Sequence, residues 1–151
     1  MAKQEHYEQL IKQLPYLLEE TNNVISNLAN FTALLYQMFP TFSWVGFYLF
    51  QNGELQLGPF QGKVACTKIQ IGQGVCGTAA QIKKPIIVPN VHDFEGHITC
   101  DEYSLSEIVI PIIKNDSLLG VLDIDSYKLN NFDDQDAYYL KTLVQILINY
   151  L

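Results

Sequence analysis

Apolar residues recur every three or four positions over residues 22–38, as they do on one face of an amphipathic helix. Thr21 or Asn22 is expected to cap the start of this helix, because both side chains can accept a hydrogen bond from a free backbone amide. A shorter helix is predicted over about residues 3–13. Pro15 is expected to end or kink it, since proline lacks the amide hydrogen that a helix interior requires.

The last 21 residues, 131–151, predict a C-terminal helix. Asp133 or Asp134 is expected to cap it, and further acidic residues complement the helix dipole at that end. Apolar positions run almost all round this helix rather than along one stripe. We therefore expect it to be buried against a sheet, a partner subunit or both.

The chain between these helices shows strand patterns. Residues 41–50 are aromatic and β-branched, and Asn52-Gly53 predicts a tight hairpin turn into a second strand over residues 54–60. A short helix is expected at 75–83, a strand at 85–89, and a hairpin formed by strands 106–113 and 118–126. This order predicts an α+β fold with a central antiparallel β-sheet and helices packed on it.

Length and composition suit one domain spanning residues 1–151, with a single core. The start of the chain lacks a signal-peptide layout, and no apolar run approaches the ~18 residues that a bilayer span needs. We therefore expect a cytoplasmic protein without a membrane partner. The formal charge is −7 and all nine basic residues are lysine, which argues against nucleic acid and favours a small ligand that carries an ammonium group.

The chain has three cysteines, Cys66, Cys76 and Cys100. They can be buried small hydrophobes, zinc ligands together with His92 or His97, or thiols that cycle through a disulfide. The zinc interpretation is weakened because no close Cys-x-x-Cys pair exists. Cys100 lies in a long polar connection, and Cys76 lies next to a predicted helix start whose amides favour a thiolate. Redox cycling fits this distribution best.

Three carboxylates are expected to meet on the sheet. Strand alternation puts Asp123 and Asp125 on one face, and Glu107 begins the strand predicted to pair with theirs. A solvated sheet face is the commoner use of alternating acids. The neighbouring residues are strongly apolar, however, and clustered acids beside a core raise one another's pKa values. Such a cluster suits a bound cation or a carboxyl group that must stay protonated.

Two large aromatic residues are expected to share a face across a glycine. Trp44, Gly46 and Tyr48 alternate along the first strand, and the glycine is expected to leave a gap that a small group fills. A simple packed face agrees equally well with the spacing. Together with the thiols and acids, this face favours a small ligand with a methyl or soft end, a cationic end and a bond that a thiolate can reduce.

Five stretches carry a specific resemblance: "SWVGFY", "GPFQGKVACTKIQIGQGVCGTAA", "PIIVPNVHDFEGHITCD", "SEIVIPI" and "GVLDIDS". Over about residues 40–130 the chain resembles the free methionine-(R)-sulfoxide reductases, which are single GAF-domain enzymes. The three-cysteine spacing around "GVCGTA" distinguishes this family from most GAF domains. The resemblance implies a GAF-like α+β fold and reduction of the free amino acid methionine (R)-sulfoxide.

The resemblance also implies roles for individual residues. Cys100 corresponds to the attacking cysteine, Cys66 to its main resolving partner and Cys76 to an auxiliary cysteine. Trp44 and Tyr48 correspond to the aromatic pair around the substrate methyl group.

The acids Glu107, Asp123 and Asp125 correspond to those that hold the amino group and the sulfoxide oxygen, and Glu107 or Asp125 is the favoured proton donor. Lys68 stands where the family commonly has arginine. The resemblance further implies thioredoxin as reductant, a homodimer, and no metal or organic cofactor. The competing class is a GAF module that senses a small ligand or oxidation without catalysis, since this fold hosts many roles.

Overall fold

A computed structural model describes residues 2–20, 23–98, 100 and 102–151. Thr21 and Asn22, the expected cap residues, lie outside this range. The helix that follows is capped by Asn23, whose side chain accepts a hydrogen bond from the amide of Ile25. Within the described residues, the helices are too short or too polar to cross a membrane.

The described residues form four α-helices and six strands. The helices are α1 (Lys3–Leu17), α2 (Val24–Met38), α3 (Gly74–Ile82) and α4 (Asp134–Ile148). The strands are β1 (Trp44–Gln51), β2 (Glu54–Gln61), β3 (Lys68–Gln70), β4 (Ile86–Val88), β5 (Ser106–Lys114) and β6 (Ser117–Ser126). The strands form one sheet in the order β3-β2-β1-β6-β5-β4, and each neighbouring pair is antiparallel. The predicted α+β class and antiparallel sheet are confirmed.

The predicted elements differ from the structure in two respects. Pro15 does not end α1, which continues to Leu17. The proline removes one backbone hydrogen bond, but the helix resumes its pattern after it, since the amide of Leu18 donates to the carbonyl of Leu14. The three-residue strand β3 and a 3₁₀ turn at Val91–Asp93 were not predicted. Elements of three residues are too short to show a hydrophobic period.

Both predicted hairpin turns form. Asn52 and Gly53 have φ values of 53° and 79° between β1 and β2, and Asn115 and Asp116 have 52° and 65° between β5 and β6. Two successive residues with positive φ define the turn whose twist matches that of paired strands. These two turns fix the registers of the hairpins that carry the candidate site.

The two faces of the sheet are covered differently. Helices α1, α2 and α4 cover one face, where the larger core contains Val45, Phe47 and Leu122 from the strands. The other face packs on α3 and on the connections between strands. The candidate site lies on that second face.

Helix α4 is anchored at its start by a capping box between Asp133 and Asp136. Asp136 is 1% exposed and accepts a 2.7 Å hydrogen bond from the hydroxyl of Tyr7, while Lys3 lies 2.8 Å from its other oxygen. As predicted, α4 packs on the sheet, through β5, and it also contacts α1.

Candidate active site

Strand register brings the three predicted acids together. Glu107 on β5 lies opposite Asp125 on β6, and the same Asp125 lies opposite Trp44 on β1. Asp123 lies opposite Gly46 on β1. Because alternate residues of a strand point to the same face, Asp123, Asp125 and Glu107 share one face with the aromatic residues of β1.

Glu107 and Asp123 are buried, each 6% exposed, and Asp125 is half-buried. Burial raises the pKa of Glu107 well above its ordinary value, and the charges of Asp123 and Asp125 raise it further. Burial also raises the pKa of Asp123, although hydrogen bonds with Glu107 and Cys76 partly oppose this. One oxygen of Asp123, Oδ1, is buried without a hydrogen-bond partner. The cluster therefore combines a carboxyl group that holds its proton with an acceptor that lacks a donor.

Cys76 lies in the first turn of α3, but its surroundings favour the protonated thiol rather than the predicted thiolate. The residue is 4% exposed, and its Sγ is 4.0 Å from Oε2 of Glu107. Burial raises the pKa of the thiol, and the charges of Asp123, Glu107 and Asp125 add to the shift. The expectation that helix amides make Cys76 a thiolate is wrong, because burial and neighbouring carboxylates outweigh the helix end.

Cys66 and Cys100 form a disulfide with 5.6 Å between their Cα atoms. Cys66 belongs to the connection between β2 and β3 (residues 62–67, the Cys66 loop), and Cys100 to the connection between β4 and β5 (residues 89–105, the Cys100 loop). Both cysteines are half-buried. The two loops thus bring thiols 34 residues apart within bonding range.

One pocket collects nearly all the predicted site residues. Its lining includes Trp44, Tyr48, Cys76, Cys100, Glu107, Asp123 and Asp125. Cys66 is not part of the lining. Of the two bonded cysteines, then, Cys100 lines the pocket and Cys66 does not.

The aromatic pair forms one wall of the pocket. The rings of Trp44 and Tyr48 are stacked, with centroids 6.0 Å apart. Gly46 does not leave the expected gap, because a Cβ at that position would overlap the Trp44 ring and the Cβ of Phe60. The glycine instead lets the indole lie flat against β1, stacked on Phe60 with a centroid distance of 5.2 Å.

The zinc alternative is not supported by the positions of its ligands. Within the described ranges, the acidic, thiol and imidazole groups close enough to share a metal are those of Cys76, Glu107 and Asp123. His97 lines the pocket and His92 is exposed, but neither joins that group.

Two lysines near Cys66 differ in their position relative to the pocket. Lys68 is exposed on β3 and does not line the pocket. Lys63 does line it, and its ammonium lies 5.0 Å from the ring centroid of Tyr103 and 5.6 Å from that of Tyr127. No periodicity marks Lys63, which lies between two strands. Its place in the "GPFQGKVAC" stretch, three residues before Cys66, is the one signal that could have drawn attention to it.

Comparison with known proteins places this geometry in a family. The GAF domain family matches residues 28–148. GAF domain-containing protein A of Dictyostelium discoideum is 52% identical over 98% of this chain and 94% of its own length. Free methionine-R-sulfoxide reductase of Escherichia coli is 44% identical over 95% of this chain and 87% of its own.

Solved structures agree with the sequence relatives. The free methionine-R-sulfoxide reductase of Neisseria meningitidis, in complex with its substrate, superimposes with a TM-score of 0.94 at 39% identity. The match covers 99% of this chain and 92% of that one. The sequence relatives, the fold and the paired thiols beside the pocket agree with one another. They show that this chain belongs to the GAF-domain family of free methionine-R-sulfoxide reductases.

Proposed function

We propose that this protein reduces free L-methionine (R)-sulfoxide to methionine through a cysteine thiolate, a sulfenic acid and an intramolecular disulfide. The observation that carries the proposal is the Cys66–Cys100 bond at a pocket walled by aromatic and carboxyl groups. Cys100 reaches this pocket and Cys66 does not, which supports Cys100 as the attacking residue and Cys66 as the resolving one.

Recognition of the substrate follows from the chemistry of the walls. The α-ammonium group binds between Asp123 and Asp125, and the donor-free Oδ1 of Asp123 supports this assignment. The methyl group packs against the faces of Trp44 and Tyr48. A methionine sulfoxide within a protein has an amide in place of the ammonium group. Binding it would leave the buried acids uncompensated, so the protein selects the free amino acid.

The first chemical step needs a proton on the sulfoxide oxygen. Glu107 supplies it, since burial and the adjacent acids raise the pKa of this carboxyl well above its ordinary value and so favour its protonated form. The Cys100 thiolate attacks the substrate sulfur and forms a transient sulfur–sulfur bond. The oxygen then passes to the Cys100 sulfur as this bond and the sulfur–oxygen bond of the substrate break, which leaves Cys100 as a sulfenic acid. Methionine leaves, and the two electrons of its reduction come from Cys100.

The second step regenerates the thiols. Cys66 attacks the sulfenic sulfur of Cys100, the disulfide forms and water leaves with the oxygen and the Cys66 proton. A dithiol protein of the thioredoxin class then reduces the disulfide and becomes oxidised itself. Cys76 has an auxiliary role, in which its protonated thiol supports the acid cluster through contact with Glu107. No metal or organic cofactor takes part.

Domain organisation, oligomeric state and location complete the proposed function. The whole chain, residues 1–151, acts as one GAF domain, as a homodimer, and in the cytoplasm, where the reducing thiol pool sustains the cycle. Light scattering at micromolar concentration tests the dimer.

The decisive experiment measures methionine release from reduced protein given each sulfoxide epimer of free methionine, and then a peptide that contains the sulfoxide. We expect release with the R epimer alone. Cys100→Ser should release none, whereas Cys66→Ser should release one methionine per molecule and then stop when thioredoxin is the reductant. Tight binding without turnover of either epimer would instead support the sensor.

A further inference from the structure

The Cys66 loop is fixed to the pocket's aromatic wall at two points. The indole Nε1 of Trp44 donates to the carbonyl of Lys63 over 3.0 Å, and the hydroxyl of Tyr48 donates to the carbonyl of Cys66 over 2.9 Å. Both bonds use main-chain acceptors of the loop. They hold its backbone, and the Lys63 side chain makes contacts of its own.

That side chain reaches out of its own loop. The Lys63 ammonium lies 5.0 Å from the ring centroid of Tyr103, in the Cys100 loop, and 5.6 Å from that of Tyr127, directly after β6. A lysine ammonium within about 6 Å of a ring centroid is attracted by the negative face of the ring. Lys63 thus contacts, through its side chain, the loop that carries the other cysteine of the disulfide.

We propose that Lys63 is a positioning residue for formation of the Cys66–Cys100 disulfide, acting through the rings of Tyr103 and Tyr127. We call this contact the lysine bridge (Lys63, Tyr103 and Tyr127). While the disulfide is intact, the covalent bond holds the loops together. When it is reduced, the bridge keeps the Cys100 loop against the Cys66 loop.

The lysine bridge acts on a defined step. In that step the Cys66 thiol loses its proton, the Cys100 sulfenic acid loses its hydroxyl as water, and the sulfur–sulfur bond forms. The rate and equilibrium depend on the effective concentration of one thiol at the other, which a tether between the loops raises. Its role in turnover rests on the proposed function. Its effect on the stability of the Cys66–Cys100 disulfide does not rest on that function, because the bridge favours disulfide formation with any oxidant.

The expected size of the effect is modest. An exposed cation–π contact contributes about 0.5–1 kcal/mol, which corresponds to about a two- to fivefold change in effective concentration. Tyr103 is 62% exposed, so its substitution should not disturb the core. Lys63→Met keeps the backbone carbonyl that Trp44 uses and removes the charge alone.

The test is the equilibrium of the cysteine pair with reduced and oxidised dithiothreitol, without substrate. Lys63→Met and Tyr103→Leu should each make the disulfide about two- to fivefold easier to reduce. The matched variants Lys63→Arg and Tyr103→Phe keep a cation and a ring and should stay close to the wild-type protein. The double variant Lys63→Met/Tyr103→Leu should match Lys63→Met alone, because both changes remove the same contact.

A second measurement follows the reaction itself. After reduced Tyr103→Leu protein is mixed with one equivalent of methionine (R)-sulfoxide, disulfide formation should be about two- to fivefold slower than in the wild-type protein. Methionine release should keep its rate. Absence of release from the wild-type protein would contradict the proposed function and leave the dithiothreitol equilibrium as the test of the bridge.

Three results would overturn the inference. One is an unchanged dithiothreitol equilibrium in both Lys63→Met and Tyr103→Leu. A raised KM in Lys63→Met with that equilibrium unchanged would also do so, since it assigns the lysine to substrate binding. Fully additive effects in the double variant would likewise show that Lys63 does not act through Tyr103.

Discussion

The two faces of the sheet are made by the same strands, yet they differ in what they bury. The face under α1, α2 and α4 is closed by apolar residues such as Phe47, Ile110 and Leu122, none more than 1% exposed. The face under α3 carries Glu107 and Asp123 at 6% exposure each. Alternation along a single strand therefore supplies a core on one side and a reactive pocket on the other.

The difference separates stability from chemistry. Burying carboxyl groups beside one another costs free energy, because they lose water and repel when ionised. Burying aromatic and aliphatic side chains on the other face stabilises the fold and offsets that cost. Substitutions on the face that carries the acids should thus reduce activity, whereas substitutions on the helix-covered face should reduce the free energy of unfolding.

The largest effect on activity is expected from Glu107→Gln. The amide cannot donate a carboxylic proton to the sulfoxide, so kcat should fall about 10²–10⁴-fold. Stability should not fall, since a buried acid is replaced by a neutral group of similar shape. Glu20→Gln, an exposed change of the same kind, is the control for steady-state kinetics and thermal unfolding. A lower unfolding temperature in Glu107→Gln, together with its lower kcat, would contradict the separation of activity and stability between the two faces.

On the helix-covered face, Phe47→Ala should reduce the free energy of unfolding by about 3–5 kcal/mol, because it leaves a cavity in the larger core. Activity per folded molecule should change little. Phe50→Ala on the same strand is the matched control, since Phe50 is 39% exposed. Denaturant unfolding gives the comparison, and a similar loss in both variants would show that the core is not centred on that face.

A smaller effect is expected from Tyr7→Phe, far from the pocket. Loss of the hydroxyl removes the 2.7 Å hydrogen bond to the buried Asp136, which should cost about 1–3 kcal/mol. Tyr16→Phe is the control, because Tyr16 is 87% exposed. Thermal unfolding and methionine release together measure it. A drop in turnover without a drop in stability would link the α1–α4 contact to the site.

The smallest expected effect concerns the pH dependence of the free energy of unfolding. The pKa of Glu107 is raised in the folded protein, so its stabilising contribution is complete below the unfolded pKa and is lost as pH rises through the folded pKa. Between these values, the wild-type unfolding free energy should fall with pH more steeply than that of Glu107→Gln. The slopes should differ by at most about 1.4 kcal/mol per pH unit. Parallel slopes would show that Glu107 is ionised in the fold.

Strand alternation and turn residues were enough to predict most of the fold and the composition of the pocket. Asp123 and Asp125 share a face, and Asn52-Gly53 forms its turn, because both depend on backbone geometry over a few residues. The state of the Cys76 thiol was mispredicted. Its pKa depends on carboxylates that lie 31 or more residues away in sequence, and local pattern carries no information about them.

Two other features also depended on packing. The space beside Gly46 is occupied by the Trp44 ring and by Phe60 from the neighbouring strand, so no gap exists there. The last turn of α1 tolerates Pro15, which neither composition nor spacing indicates. The individual roles of the cysteines and acids stay predictions until the variants are measured.

By itself, the sequence determined the order of the longer helices and strands, the alternation of side chains between the two faces of the sheet, and the gathering of acids and aromatic rings on one of those faces. Those properties follow from local periodicity. The tertiary structure decided that Cys100 lines the pocket and Cys66 does not, and that the Lys63 side chain contacts the Cys100 loop. Such contacts depend on how loops far apart in sequence come together in the fold, and a local sequence pattern does not encode the distance between two loops.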